Sequence, residues 1–173
     1  MHYIIMAGGK GSRFGGEKLV AELCGKRVID FIIGHMSAVT NNFVIATSHN
    51  APDTRKYLID LGYDVLNTPG LGYPQDVKFL QDNLRDDLLL LNGDAVFISP
   101  DVIRSFISKF EGKSMTGITL YKGTKVYIGL NIASPNSIED IEIPIQGELI
   151  HLNINTREDL MEASKKCKEL CGL

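Results

Sequence analysis

Leu88-Leu89-Leu90-Leu91 is apolar at every position and is closed by Asn92-Gly93-Asp94. A strand with one wet face alternates apolar and polar residues, so four leucines in succession demand cover on both faces. That is the situation of a central strand in a parallel sheet with helices on either side. Shorter runs precede it: Tyr3-Ile4-Ile5-Met6, Phe43 to Thr47 and Tyr63 to Leu66 each read as a strand entering a polar or glycine-rich loop. Segments of helical period lie between them. From Lys26 to Val39, residues Val28, Ile29, Ile32, Met36 and Val39 share one face, and Asp30 stands early, where its charge favours the helix dipole. Pro52 opens a helix through Leu61 that ends at Gly62, and Pro74 to Leu84 reads as another. This alternation predicts an α/β, three-layer Rossmann-like sandwich on a mostly parallel mixed sheet.

The second half of the chain is less regular. Pro100 to Phe110 reads as a helix, Met115 to Tyr121 and Val126 to Ala133 as strands, and Ile138 to Ile145 as a short segment broken by Pro144. Leu149 to Asn155 alternates apolar and polar residues and predicts a last strand. Thr156 then caps a final helix, with Asp159 at the third position of a capping box.

A chain of 173 residues suits one domain, 1–173, because chains of this size bury roughly 70% of their unfolded surface. A net charge of −3 gives no general attraction to nucleic acid, so any anion site must be local. The first strand begins at once, without a signal-like segment, and no apolar run is long enough to span a bilayer, which predicts a cytoplasmic protein without membrane insertion. Cys24, Cys167 and Cys171 are few, odd in number and without metal-like spacing, so reduced thiols are expected. Cys167 and Cys171, one helical turn apart, read as a packed helix face. The oligomeric state stays open, a homodimer included.

The loop after the first strand carries the chemistry. Ala7-Gly8-Gly9-Lys10-Gly11-Ser12-Arg13-Phe14-Gly15-Gly16-Glu17-Lys18 combines glycines, which let several backbone N–H groups converge on one anion, with the cations Lys10, Arg13 and Lys18. Three cations beside that much exposed backbone point to a polyphosphate. Two better-known glycine motifs fit poorly. Phe14 stands where a dinucleotide fingerprint needs Gly or Ala for close helix packing, and Glu17 stands where a P-loop needs Lys.

Ligands of such sheets bind outside the carboxyl ends of the strands, so the loops at Gly8 to Lys18, Thr47 to Asn50, Asn67 to Tyr73 and Asn92 to Asp94 should line one edge. Asp94 ends a wholly apolar strand beside the postulated polyphosphate, where one carboxylate could help hold Mg²⁺ together with phosphate oxygens and water. A turn aspartate with no metal role is the alternative. Asn153 and Asn155 would share one face of the last strand and point both amides toward the cleft, or else satisfy backbone groups near the helix start.

Met6-Ala7-Gly8-Gly9-Lys10-Gly11-Ser12-Arg13-Phe14-Gly15, followed by Lys18, resembles the signature of GT-A-like nucleotidyltransferases, (L/M)-A-G-G-x-(G/S)-x-R-(M/F)-G with a lysine shortly after. Asn153-Ile154-Asn155-Thr156-Arg157-Glu158-Asp159-Leu160 is similar to the N-I-N-T-x-E-D-L ending of guanylyltransferases that modify molybdenum cofactor or cobinamide phosphate. Together the two motifs span nearly the whole chain. Gly70-Leu71-Gly72-Tyr73 followed by Gln75-Asp76, and Val96 in place of a proline, resemble the archaeal adenosylcobinamide-phosphate guanylyltransferases more than the molybdenum enzymes. The gap from Gly16 to Lys18 is one residue shorter than in many relatives.

The resemblance implies a nucleotide held by Met6, Ala7, Gly8, Gly9, Lys10, Gly11 and Ser12, with Asn50, Asn67, Asn153 and Asn155 beside base, ribose or acceptor. It also implies Arg13, Lys18 and Asp94 as catalytic residues, with Mg²⁺ on Asp94. The partners implied are GTP and a phosphorylated small-molecule acceptor, a corrinoid before a pterin. A phosphate nucleophile is already anionic and needs no general base, and His2, His35, His49 and His151 read as structural or surface residues. A sugar-phosphate or molybdenum-cofactor nucleotidyltransferase, a nucleotide-binding module without turnover and a dinucleotide binder stay open as alternatives.

Overall fold

The leucine run is covered on both faces, and its alternation shows how. In the computed structural model, which describes residues 1–171, Leu89 and Leu91 pack into the larger of two apolar clusters and Leu88 and Leu90 into the smaller, all four at most 1% exposed. Burial on this scale is worth about 1.5–3 kcal/mol for each side chain, which makes the strand the spine of the sheet.

In chain order the elements are β1 (His2–Met6), a 3₁₀ turn (Lys18–Val20), β2 (Glu22–Leu23), β3 (Lys26–Arg27), α1 (Val28–Ser37), β4 (Val44–Thr47), α2 (Pro52–Asp60), β5 (Val65–Asn67), α3 (Tyr73–Leu84) and β6 (Leu88–Asn92). There follow α4 (Pro100–Ile107), β7 (Ser114–Tyr121), β8 (Thr124–Ala133), β9 (Asp140–Pro144), α5 (Arg157–Ser164) and α6 (Cys167–Cys171). The main sheet has seven strands in the order β5-β4-β1-β6-β8-β7-β9, and β2 with β3 forms a small hairpin. β5, β4, β1 and β6 are parallel. β8 runs against both its neighbours, β6 and β7, and β9 is parallel to β7 at the edge.

The mixed α/β sandwich expected from the alternation is present, with a correction at its centre: β6 is parallel to β1 but antiparallel to β8. A run of leucines reports burial on both faces and is silent about the direction of the neighbouring strand. Ile29, Ile32 and Met36 of α1, Leu58 of α2, Ile103 and Phe106 of α4 and Ala163 of α5 join the larger cluster, whereas Leu80 of α3 joins the smaller. Asp30 accepts a hydrogen bond from the Arg27 backbone N–H at 2.9 Å, the N-terminal role its position suggested. Pro144 closes the edge strand β9, where a missing backbone donor is tolerated.

Two further expectations are corrected. Residues 149–155 form turns and extended chain, not a strand, because their backbone serves local and site contacts: Leu152 N–H donates to Leu149 and Ile154 N–H to Asp94. Cys24 and Cys167 are not reduced thiols; they form a disulfide across 143 residues, with Cα atoms 5.5 Å apart, while Cys171 is free and exposed. Spacing along the chain singled out the pair 167 and 171, but the fold brings the β2–β3 turn against the start of α6. The helix capped by Thr156 is not the final one, since α6 follows α5. Among the described residues no helix is long and apolar enough to cross a membrane.

Candidate active site

The carboxyl ends of β1, β4, β5 and β6 open into a cleft of about 460 Å³. Chain order reverses here: β4 and β5 extend the sheet on one side of β1 and β6 on the other, which leaves a crevice between the loops after β1 and β6.

The loop after β1 forms one wall. Gly8 lies so close to the β4 end that a Cβ on it would meet the Ser48 backbone N at 2.9 Å, and Ser48 Oγ donates to the Gly8 carbonyl at 2.6 Å. Further on, the chain folds back on itself, as the Gly11 carbonyl accepts from the N–H groups of Phe14 and Gly15, both at 3.0 Å. Gly11 has φ +59°, and a Cβ there would stand 2.0 Å from the Gly16 carbonyl oxygen, so only glycine fits. Phe14, 4% exposed, anchors the fold-back beneath the Arg157 guanidinium, which sits 4.5 Å from the ring centroid. That burial explains why this loop carries a phenylalanine where a dinucleotide fingerprint would have a small residue. Met6, Ala7, Gly8, Gly9 and Lys10 line the cleft, and the backbone N–H groups of Gly8, Gly9 and Lys10 meet no acceptor among the described residues. Unpaired donors beside lysines suit an anion.

Lys18 reaches across the cleft. Its Nζ donates to Asp94 Oδ2 and, at 3.2 Å, to Asn155 Oδ1, which also accepts from Arg13 Nη2 at 3.1 Å. Asn155 thus gathers two cations of the loop. Its own place is set twice over, since Ile154 N–H donates to the Asp94 carbonyl at 3.1 Å and Asp159 Oδ2 accepts from the N–H groups of Asn155 and Thr156 at 2.9 and 2.8 Å. The capping box read from the sequence also fixes an asparagine of the site.

The far wall comes from β4 and β5 onward. Asn50 lines the cleft and donates through Nδ2 to the Gly70 carbonyl at 2.8 Å, while the Gly70 N–H donates to the buried Asp76 Oδ1 at 2.8 Å. Between these two clamps the turn from Gly70 to Tyr73 is held at the mouth.

Of the residues expected from the sequence, Met6, Ala7, Gly8, Gly9, Lys10, Lys18, Asn50, Asp94 and Asn155 line the cleft. Arg13 reaches its edge through Asn155. Gly11 and Ser12 do not line it, and Gly11 serves the fold-back instead. Asn67 is displaced: its Oδ1 accepts from Arg55 Nε at 2.9 Å on the exposed side, and Thr68 takes the lining position. Asn153 and Asn155 both line a neighbouring hollow, and only Asn155 also reaches the cleft. None of the four histidines lines the cleft, and burial holds His35 below its usual value.

Glu17, Thr68 and Asn92 belong to loops expected at this edge but not singled out by the sequence, and sequence reading missed Thr54 and Asp76, all part of the lining. Glu17 caps α2 from outside, as its two carboxylate oxygens accept from the N–H groups of Asp53 and Thr54 at 2.8 and 2.7 Å. α2 has no capping side chain of its own, and Ala51 at its N-cap was the available sign that one comes from elsewhere. Asp76, an acid in the first turn of α3 after Gly70-Leu71-Gly72, was visible but not assigned.

Among the described residues no cluster of three or more His, Cys, Asp or Glu side chains is placed to hold a metal, and the oxygens at the end of β6 are the candidates for a Mg²⁺ ion. Asp94 supplies one carboxylate that already faces a cation, the Lys18 ammonium, and Asn92 Oδ1 is buried in the same lining without a hydrogen-bond partner. One or two protein oxygens with phosphate oxygens and water are the usual complement for this ion.

The model of the MobA-like NTP transferase domain family matches residues 3–142. Over 98% of both chains, the sequence is 30% identical to the adenosylcobinamide-phosphate guanylyltransferase of Methanocaldococcus jannaschii. It is 28% identical to a probable molybdenum cofactor guanylyltransferase of Thermococcus kodakarensis over 62% of this chain and 52% of the relative. In fold it resembles the crystal structure of molybdopterin-guanine dinucleotide biosynthesis protein A from Archaeoglobus fulgidus, with a TM-score of 0.69 and 17% identity over 98% of this chain and all of the other.

Proposed function

This chain belongs to the MobA-like NTP transferase family and is a nucleotidyltransferase; from that premise we propose that it transfers GMP from GTP to adenosylcobinamide phosphate, giving adenosylcobinamide-GDP and pyrophosphate. One observation carries the choice of acceptor. Similarity to the guanylyltransferase named for that corrinoid runs through 98% of the chain, whereas similarity to the molybdenum-cofactor relative covers 62%.

The residues of the cleft divide the work. The unpaired N–H groups of Gly8, Gly9 and Lys10 receive the phosphates, and Lys10 adds charge at the rim. Lys18 turns from Asp94 toward the α-phosphate as an acceptor phosphate oxygen attacks the phosphorus and pyrophosphate leaves. Arg13, held by Asn155, meets the leaving charge from the edge. Asp94 with Asn92 would hold Mg²⁺, which supplies charge neutralisation on the phosphate oxygens when bound. No side chain is needed as a base, since the nucleophile is an anion. The wall of Asn50, Thr68, Gly70 and Asp76 offers fixed donors and acceptors for the base, so guanine is selected through matched hydrogen bonds and adenine rejected through unmatched ones.

The deciding experiment mixes the purified protein with Mg²⁺, GTP and adenosylcobinamide phosphate and follows pyrophosphate and the mass of the product. Release with GTP and little with ATP is expected. Product with molybdopterin but none with the corrinoid would overturn the choice of acceptor.

A further inference from the structure

Two residues around the start of α5 hold the loop after β1, and they hold it in different ways. Asn155 takes side chains, accepting from Arg13 Nη2 at 3.1 Å and Lys18 Nζ at 3.2 Å. Arg157 takes the backbone and a ring: its Nε donates to the Phe14 carbonyl at 3.3 Å, and its guanidinium lies 4.5 Å from the Phe14 ring centroid. Outside their own fold-back, residues 10–16 have little else to hold them. Only Phe14 among them is buried; Lys10, Ser12, Arg13, Gly15 and Gly16 are exposed. Gly15 and Gly16 bring no side chain to pack, so the direction of Arg13 depends on its bond to Asn155 and on what fixes Phe14 beside it.

Arg157 stands where helix electrostatics do not favour it. It is the first residue of α5, at the positive end of the helix dipole, where acids are preferred and Glu158 and Asp159 follow. Its side chain is exposed, and its one hydrogen bond among the described residues is the one to Phe14. A residue that breaks the local rule of its own helix is explained by what it touches elsewhere. Here the contact is favourable on two counts, since an aromatic face attracts a cation and a charged donor makes a stronger bond to a carbonyl than a neutral one.

Resting on the reading that Arg13 meets the charge of the leaving pyrophosphate, we propose that Arg157 is a positioning residue for Arg13. By fixing the Phe14 carbonyl and ring it sets the backbone one residue from Arg13, so that the Arg13 guanidinium stays on Asn155 and faces the phosphates instead of turning to solvent. Arg157 does not line the cleft and touches no phosphate itself. Its contribution is orientation, which is felt in the rate of the chemical step and not in the binding of GTP.

A double-mutant cycle on Arg13 and Arg157 tests the assignment, read in kcat for pyrophosphate release and, without any acceptor, in the calorimetric affinity for magnesium pyrophosphate. Arg13→Ala and Arg157→Ala should each lower kcat by about tenfold with the GTP KM within about twofold of wild type. The double variant should lose no more than about twofold beyond Arg13→Ala, because both changes remove the same interaction, and pyrophosphate affinity should show the same lack of additivity. Arg157→Ala should keep a Tm within a few degrees of wild type, since the side chain is exposed. Losses that multiply in the double variant would overturn positioning through Arg13, as would wild-type kcat in Arg157→Ala beside an impaired Arg13→Ala; both results leave the proposed reaction standing. Wild-type kcat and pyrophosphate affinity in Arg13→Ala would overturn the role of Arg13, and that of Arg157 with it. Wild-type protein without turnover on adenosylcobinamide phosphate would overturn the proposed acceptor, and the pyrophosphate cycle would still decide on Arg157.

Discussion

The backbone N–H of Ile154 donates to the backbone carbonyl of Asp94 at 3.1 Å, tying the segment that carries Asn155 to the end of the leucine strand. Ile154 itself is fully buried, so the link lies in the core and not at the surface. It explains how a stretch without regular secondary structure presents Asn155 to Lys18 and Arg13: one backbone bond fixes its height and the α5 capping box fixes its direction.

Asp94→Ala should abolish pyrophosphate release while leaving the fold intact. The Ile154 bond uses the backbone and survives the change, and Lys18 keeps Asn155 as a partner. A Tm within a few degrees of wild type together with lost turnover is the expected pair of results. Turnover within a few fold of wild type at saturating Mg²⁺ would remove Asp94 from the chemistry.

Lys18→Ala should lower kcat by at least about tenfold, since a transition-state contact of about 1.4 kcal/mol already corresponds to that factor. Kinetics at saturating GTP separate the two roles open to this residue. A rise in KM with kcat unchanged would make it a ground-state binder.

Glu17→Ala should lower stability and loosen nucleotide binding together. The carboxylate satisfies two N–H groups at the start of α2, and losing such a cap costs about 0.5–2 kcal/mol. Thermal unfolding should show a lower Tm and nucleotide titration a weaker GTP affinity, because the same contact holds the Lys18 end of the loop. A lower Tm with GTP affinity untouched would limit Glu17 to a capping role.

Thiol titration of the unreduced, denatured protein should find one free thiol, Cys171, and three after reduction. Because the Cys24–Cys167 bridge spans 143 residues, breaking it should cost about 2–5 kcal/mol and lower the Tm by at least about 4 °C. Three reactive thiols before reduction would show that the bridge does not form in solution.

Local chemistry was enough for much of this protein. An all-apolar run demands two covered faces, and Thr156 with Asp159 makes a helix cap; each depends on neighbours a few residues away, and each is found in place, while the glycine loop with its cations lines the cleft. Where a residue's role depends on a distant partner, the chain alone was silent or misleading. Alternation from Leu149 to Asn155 imitated a strand, yet the segment has no pairing partner, because its backbone is spent on Asp94 and on turns. Asn67 lay in the right loop but faces Arg55, one residue out of step with Thr68, since successive residues of an extended chain point to opposite sides. Glu17 found its helix 36 residues away and Cys24 its partner 143 residues away. Such pairings are set by how the layers pack, and only the tertiary structure decides which carboxylate meets which amide and which sulfur meets which.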